Sequence, residues 1–368
     1  MSLIDALIRN ATHLKSPISG TFELTARCNL SCKMCYIHNM SCDSALKDAE
    51  LTAEQWIEIA EQAKSNGTLV LLLTGGEPTL RKDFCEIYRA CAERGFLISV
   101  NTNGSMLTEE MFALFHEHPP LRMNVSLYGM SKQAYQNLCG NGNVFDRVIS
   151  NLERLHEMGI GIRINFTATP YNHGEIDAVY RFAQKIGAFV QHTAYIFPPM
   201  RTARPCEQIQ RFTPEEAAEV MVHYLRVCRN EEDFAAFCRE KANEPVSRID
   251  ECGDITDSVR CRAGRASYWI TYDGKMLPCG MIPTISTPVL SDGFSSAWSK
   301  TVEAFSAVKM PHGCLSCPEY ERCDVCPAIC FAECEDFAAV PHYICQKNRA
   351  YRELLAKYAQ ETEGSACT

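Results

Sequence analysis

Three cysteines stand close together at Cys28, Cys32 and Cys35, within Arg27-Cys28-Asn29-Leu30-Ser31-Cys32-Lys33-Met34-Cys35-Tyr36. This C-x3-C-x2-C spacing lets three thiolates wrap one cuboidal iron–sulfur cluster, each binding one iron. The triplet leaves the fourth iron without a protein ligand, open to a small chelating molecule. A structural zinc is the competing reading; it favours a fourth protein ligand at matching spacing, and His38 is the only nearby candidate. One strand later comes Thr74-Gly75-Gly76-Glu77-Pro78-Thr79-Leu80. Its two glycines let the backbone approach a ligand closely, and Glu77 offers an acceptor for an ammonium group.

A second set of nine cysteines lies between Cys261 and Cys345. It opens with Cys261-x12-Gly274-x4-Cys279, continues as Cys314-x2-Cys317-x5-Cys323-x2-Cys326-x3-Cys330-x3-Cys334, and closes at Cys345. Nine thiols supply four ligands to each of two [4Fe–4S] clusters with one to spare, or two to spare if one cluster keeps an open iron. Zinc ribbons compete for this region. The remaining nine cysteines, Cys42, Cys85, Cys91, Cys139, Cys206, Cys228, Cys238, Cys252 and Cys367, are scattered.

The elements that must position these groups follow from periodicity. Thr21–Thr25 reads as a first strand, leading into the cysteine loop. A helix opens at Thr52, with Gln55 completing a capping box. Leu69–Thr74 is a continuous apolar run, as in a strand buried on both faces. Phe84, Ile87, Tyr88 and Cys91 repeat at helical spacing, and Gly95 ends that helix. Further strands are expected at Leu97–Asn101, Arg122–Leu127, Gly161–Ala168 and Phe189–Ile196, with Phe145, Val148, Ile149, Leu152 and Leu155 marking a helical stripe between two of them. Six strand–helix units in a row imply an α/β fold with a parallel sheet, open or curved into a partial barrel. In such sheets the loops after the strand C-terminal ends carry the chemistry. From Arg201 to about Val246 the strand rhythm gives way to helices, beginning at Thr213-Pro214-Glu215-Glu216, with Cys228 and Cys238 as buried structural thiols. Asp273-Gly274 marks a hairpin turn between Ser267–Tyr272 and Lys275–Cys279.

The chain has 368 residues, enough for one large domain and a smaller one. Its formal charge is −9, with no stripe of Lys or Arg, which argues against a nucleic-acid partner. The longest aliphatic run, Leu69 to Leu73, is too short to cross a bilayer, and no secretory signal opens the chain, so a cytoplasmic location is expected. With 21 cysteines in a reducing compartment, clustered thiols read as ligands rather than disulfides.

Residues 21 to about 200 resemble the radical S-adenosylmethionine superfamily in the cysteine triplet and the Gly75-Gly76-Glu77-Pro78 loop. The resemblance implies a partial (β/α)6 TIM-like barrel, a [4Fe–4S] cluster on Cys28, Cys32 and Cys35, and S-adenosyl-L-methionine on the open iron. An electron passing through the cluster would cleave the sulfonium to a 5′-deoxyadenosyl radical, which takes hydrogen from a substrate. By analogy, Gly75, Gly76 and Glu77 bind the methionine amino group, and Asn103 and Ser126 contact the ribose or carboxylate. Arg163 and Asn165 are weaker candidates at the barrel mouth.

The C-terminal cysteines resemble the SPASM domain, a small cysteine-rich module with a β-hairpin. That implies auxiliary cluster I on Cys261, Cys279 and a later cysteine, and auxiliary cluster II on Cys314, Cys317, Cys323 and Cys345. After Cys323 the usual spacing is not kept: Cys326 and Cys330 both remain candidates for cluster I, and Cys334 reads as a spare thiol. The implied domains are 1–200 for the barrel, 201–260 for a helical bridge and 261–368 for the auxiliary-cluster domain.

Enzymes of this architecture mostly modify residues within peptides. The expected reaction is a thioether bond, cysteine sulfur to carbon, in a ribosomally made peptide, with a flavodoxin- or ferredoxin-like electron donor. Anaerobic sulfatase maturases, which make formylglycine, are the alternative. They usually carry an acid where this chain has Gly280 and glutamine where it has Asn101, and both departures weigh against that reaction. A carbon–carbon cross-link or an epimerisation fits the same residues. Because 27 residues precede Cys28, a peptide leader is expected to dock elsewhere or on a separate leader-binding protein. No general base is assigned; His192 and Tyr195 lie on the sixth strand.

Overall fold

The computed structural model describes residues 3–37, 44–201, 210–244 and 259–365. His38, Cys42, Cys206, Cys252 and Cys367 lie outside the described residues.

Six parallel strands build the barrel: β1 (Ser19–Glu23), β2 (Val70–Thr74), β3 (Leu97–Thr102), β4 (Arg122–Ser126), β5 (Ile162–Thr167) and β6 (Phe189–Thr193). They lie in sequence order, and the helices between them cover one face of the sheet. The strands alternate, period two, between that face and the inner one. Phe22, Leu71, Leu73, Val100, Met123, Val125, Ile164 and Phe166 are buried among the helices, each contributing about 1.5–3 kcal/mol. The inner face is polar and layered by register: Asn101 beside Asn124, Ser126 beside Asn165, Asn165 beside Gln191, and Thr167 beside Thr193. This alternation corrects the reading of Leu69–Thr74 as buried on both faces. Leu71 and Leu73 are buried, Val70 and Leu72 only half so, and Leu69 is exposed, because the inner face borders a cavity.

Local signals in the sequence set the helix ends. Thr52 caps Ala53–Ser65 by accepting from the Gln55 amide, while the Gln55 side chain accepts from the Thr52 amide at 2.9 Å. The same reciprocal cap, Thr213 with Glu216, opens Pro214–Val227. Trp56 from the first of these helices is fully buried against Phe22.

The C-terminal hairpin continues the barrel sheet instead of standing apart from it. β7 (Ser267–Ile270) pairs parallel with β1, and β8 (Lys275–Leu277) and β9 (Thr287–Pro288) follow antiparallel. The nine strands therefore form one sheet, ordered β6-β5-β4-β3-β2-β1-β7-β8-β9. A close approach seals the β1–β7 seam: Tyr268 stands over Gly20, where any Cβ would collide with its ring, and its hydroxyl lies 3.1 Å from Thr68 Oγ1. Helices Pro214–Val227 and Glu231–Asn243 pack on the long helix His342–Ser365 through Val222, Leu225, Phe234, Leu355 and Ala359. Cys238 is buried in that cluster and Cys228 is half-buried.

Candidate active site

The loop after β1 carries the cysteine triplet, and two arginines hold it in place. Arg27, directly before Cys28, makes a two-pronged ion pair with Glu50 at 2.8 Å for both contacts, and Thr25 donates its hydroxyl to the same carboxylate. Arg81 donates to the Leu24 and Leu51 carbonyls at 2.8 and 2.9 Å, tying the strand end to the segment after Glu50. The loop after β2 packs on this frame. Gly76 donates to Thr25 O and Glu77 to Arg27 O. A Cβ on Gly76 would come within 2.5 Å of the Arg27 carbonyl, and one on Gly75 would collide with Thr25. The two glycines thus serve first the approach of one loop to the other.

Together the loops close one end of a cavity of about 520 Å³. Cys28, Cys32, Cys35, Gly75 and Gly76 line it, as do Asn101, Asn103, Ser126 and Asn165. The Cys28 sulfur accepts from the Leu30 amide at 3.4 Å and lies 3.8 Å from Asn103 Nδ2. Burial, followed by the nearby Glu77 carboxylate and the other two thiols, pushes the Cys28 pKa well up, the expected condition of thiols gathered without a cation. The chemistry of this donor set fits the cluster: three thiols at one end of the cavity, beside amide and hydroxyl groups suited to a polar ligand. Among the described residues, no three His, Cys, Asp or Glu side chains converge as a single metal ion requires.

Two of the expected contact residues lie behind the cavity wall. Glu77 is fully buried and does not line the cavity; its carboxylate accepts from Thr79 N and Oγ1, Thr102 Oγ1 and Asn103 N, at 2.5 to 3.1 Å. It braces the loop, with Oε1 taking three of these bonds and Oε2 one. Arg163 shares the inner face with Asn165 but sits one layer deeper, paired with Asn124 and Phe189 in register, and is not among the cavity residues. Burial, then the neighbouring Arg122, pushes its pKa down.

Other groups emerge only in three dimensions. Tyr128, Thr167, Gln191, Thr193, Phe197 and Met281 line the cavity, and the Tyr128 hydroxyl donates to the Cys32 sulfur. Tyr128 stood inside a recognisable strand-end motif, but nothing in its type marked it. Tyr195 reaches the cavity wall and donates to Glu333 at 2.7 Å, while Arg211 grips the same carboxylate at 2.6 and 2.9 Å. His192 turns away, stacked on Tyr224 outside the cavity.

The C-terminal thiols form two groups. Cys279 lies in the field of Cys261 and Cys326, and burial, the larger effect, pushes it up to about 11. Cys314 is also pushed up to about 11, by burial and then by Cys345, Cys323 and Cys317. Asn348 donates to the Cys323 sulfur at 3.0 Å. Cys330 is fully buried between the groups, next to Cys314 and Cys326.

Residues 22–183 match the model of the radical SAM superfamily. The chain is 26% identical over 335 residues to an AdoMet-dependent heme synthase of Methanosarcina barkeri, covering 86% of this chain and 93% of that one. It is also 26% identical over 329 residues to the mycofactocin maturase MftC of Mycobacterium ulcerans, covering 87% and 85%. Among solved structures, Streptococcus suis SuiB bound to its precursor peptide SuiA superposes with a TM-score of 0.68 at 20% identity, covering 93% of this chain and 78% of that one. No helix among the described residues is long and apolar enough to cross a membrane. This chain is an enzyme that works with a [4Fe–4S] cluster and S-adenosylmethionine, and its residues 22–183 are similar to the radical SAM superfamily.

Proposed function

We propose that the chain is a peptide-modifying radical enzyme that forms a thioether cross-link in a ribosomally made peptide. Cys28, Cys32 and Cys35 hold the cluster, and the backbone of Gly75 and Gly76 with Asn103, Ser126 and Asn165 binds S-adenosylmethionine. When bound, the pair supplies a carbon radical able to take hydrogen from an unactivated C–H bond. The chain's own part is to confine and orient: Ile37, Ile196, Phe197 and Met281 exclude water from the cavity, and Gln191, Thr167 and Thr193 present hydrogen-bonding groups away from the cysteine loop. Cys261, Cys279 and Cys326 hold auxiliary cluster I, and Cys314, Cys317, Cys323 and Cys345 hold auxiliary cluster II. A flavodoxin- or ferredoxin-like protein supplies electrons.

One observation carries the peptide reading: among the described residues, no Asp, Glu, Lys, Arg or His lines the cavity. Amides and hydroxyls suit a peptide segment, whose backbone needs exactly such neutral partners. The maturase MftC and SuiB, crystallised with a precursor peptide, support the same substrate class. The heme synthase relative favours a second reading, a tetrapyrrole substrate. Tetrapyrrole carboxylates need cations, and none of the described residues on this wall supplies one.

The test is anaerobic. Reconstituted protein is given dithionite, S-adenosylmethionine and the short cysteine-bearing peptides encoded beside its gene, with an iron porphyrin in a parallel reaction. The proposal expects 5′-deoxyadenosine, and a peptide lighter by two hydrogens whose cysteine no longer alkylates. Porphyrin turnover without peptide turnover would overturn it.

A further inference from the structure

One buried cysteine outside both thiol groups lies against the triplet. Cys139 ends the helix Lys132–Cys139, where Gly140 adopts a left-handed conformation and turns the chain. Two backbone hydrogen bonds straddle Cys32: Ser31 N donates to Cys139 O at 3.2 Å, and Lys33 N to Leu138 O at 2.9 Å. These bonds fix the backbone on either side of Cys32 against the end of that helix. The two thiols interact directly, and neither is in a disulfide. Cys139 is 1% exposed, with its thiol donating to Tyr135 O at 3.0 Å, while Cys32 lines the cavity.

We propose that Cys139 is the redox partner of Cys32, and that the two close into a disulfide when the chain carries no cluster. A small disulfide such as oxidised glutathione enters the cavity and exchanges with Cys32, releasing one reduced glutathione. The Cys139 sulfur then attacks the Cys32 side of the mixed disulfide and releases the second. The two protein thiols give up two electrons and two protons, and one glutathione disulfide becomes two thiols. The bond withdraws Cys32 from the triplet, so iron cannot be bound there until a thiol reductant reopens it. The meaning of this lock rests on the proposed cluster ligands; the bond itself does not.

The experiment uses the full-length, iron-free protein incubated with oxidised glutathione. Remaining thiols are alkylated, the protein is digested with trypsin without reduction, and the peptides are mapped by mass spectrometry. The proposal expects Cys28–Lys33 joined to Gln133–Arg147, with fragment ions placing the bond at Cys32. Dithiothreitol abolishes the species, and so does Cys139→Ser. A bond from Cys32 to Cys28 or Cys35, or Cys139 recovered fully alkylated, overturns it. The wild-type map stands without any variant, so a poorly folded Cys139→Ser protein does not weaken the test. No turnover is read, so loss of this proposal and loss of the radical-enzyme reading are separately visible.

Discussion

Glu77 shows how a residue with the right chemistry is spent on architecture. Its carboxylate accepts from four donors, each of them a group with a proton to give. Glu77→Gln places an amide N–H against one of these donors, so the variant should lose about 1–3 kcal/mol of stability in denaturant titrations. His192 makes a second test at this scale. Burial, then the neighbouring Arg229, pushes its pKa down to about 3, whereas a histidine in the unfolded chain titrates near 6.5. Between those values the unfolded chain binds a proton that the folded chain refuses. Stability therefore falls as pH drops through that window, by up to ~1.4 kcal/mol per unit, and is unaffected above it. His192→Leu should flatten the unfolding midpoint between about pH 6.5 and 4 relative to wild type.

At the scale of elements, the site is two strand-end loops pressed together. The β2 loop reaches the β1 loop only because Gly75 and Gly76 have no side chains; the Arg27 carbonyl stands 2.5 Å from where the Gly76 Cβ would be. That obstacle is backbone and cannot rotate away. Gly76→Ala should push the loops apart and weaken S-adenosylmethionine binding at least tenfold, a cost of ~1.4 kcal/mol, by isothermal titration of reconstituted protein. Arg27→Ala, which frees the loop from Glu50, should lower the iron retained at the triplet while leaving the C-terminal thiols loaded. Iron counted per chain would then fall by about four from the wild-type value.

Across the whole molecule, the barrel and the C-terminal hairpin share a sheet and a buried charge. Glu23 on β1 is fully buried; Arg201, beyond β6, and the Trp269 indole on β7 both reach its Oε2, at 2.7 and 2.6 Å. Burial raises the Glu23 carboxyl above its ordinary range, and Arg201 offsets only part of that rise. Removing the cation leaves a buried carboxylate without its partner, so Arg201→Ala should cost about 3–5 kcal/mol. Thermal unfolding should show barrel and C-terminal region weakening together, because β1 and β7 are neighbours in one sheet.

Short-range patterns were legible in the sequence because they depend on neighbours in the chain. The cysteine spacings, the capping boxes at Thr52 and Thr213, the Gly95 stop and the six strands all follow from local geometry and period, and the observed strand ends differ by a few residues. What Glu77 does was not legible, since its donors Thr102 and Asn103 come from another strand end. Nor was the depth of Arg163, which depends on register between strands rather than on its own strand. Between Cys326 and Cys330, spacing offered no preference; folding sets Cys326 beside Cys261 and Cys279 and buries Cys330. Cys139 looked like one of nine scattered thiols, and only the pairing of segment 31–33 with segment 138–139 brings it to Cys32. Residue types and spacings thus determined which chemistry the chain carries. Contacts between distant segments decided which side chains face the cavity, which brace it and which thiols share a site.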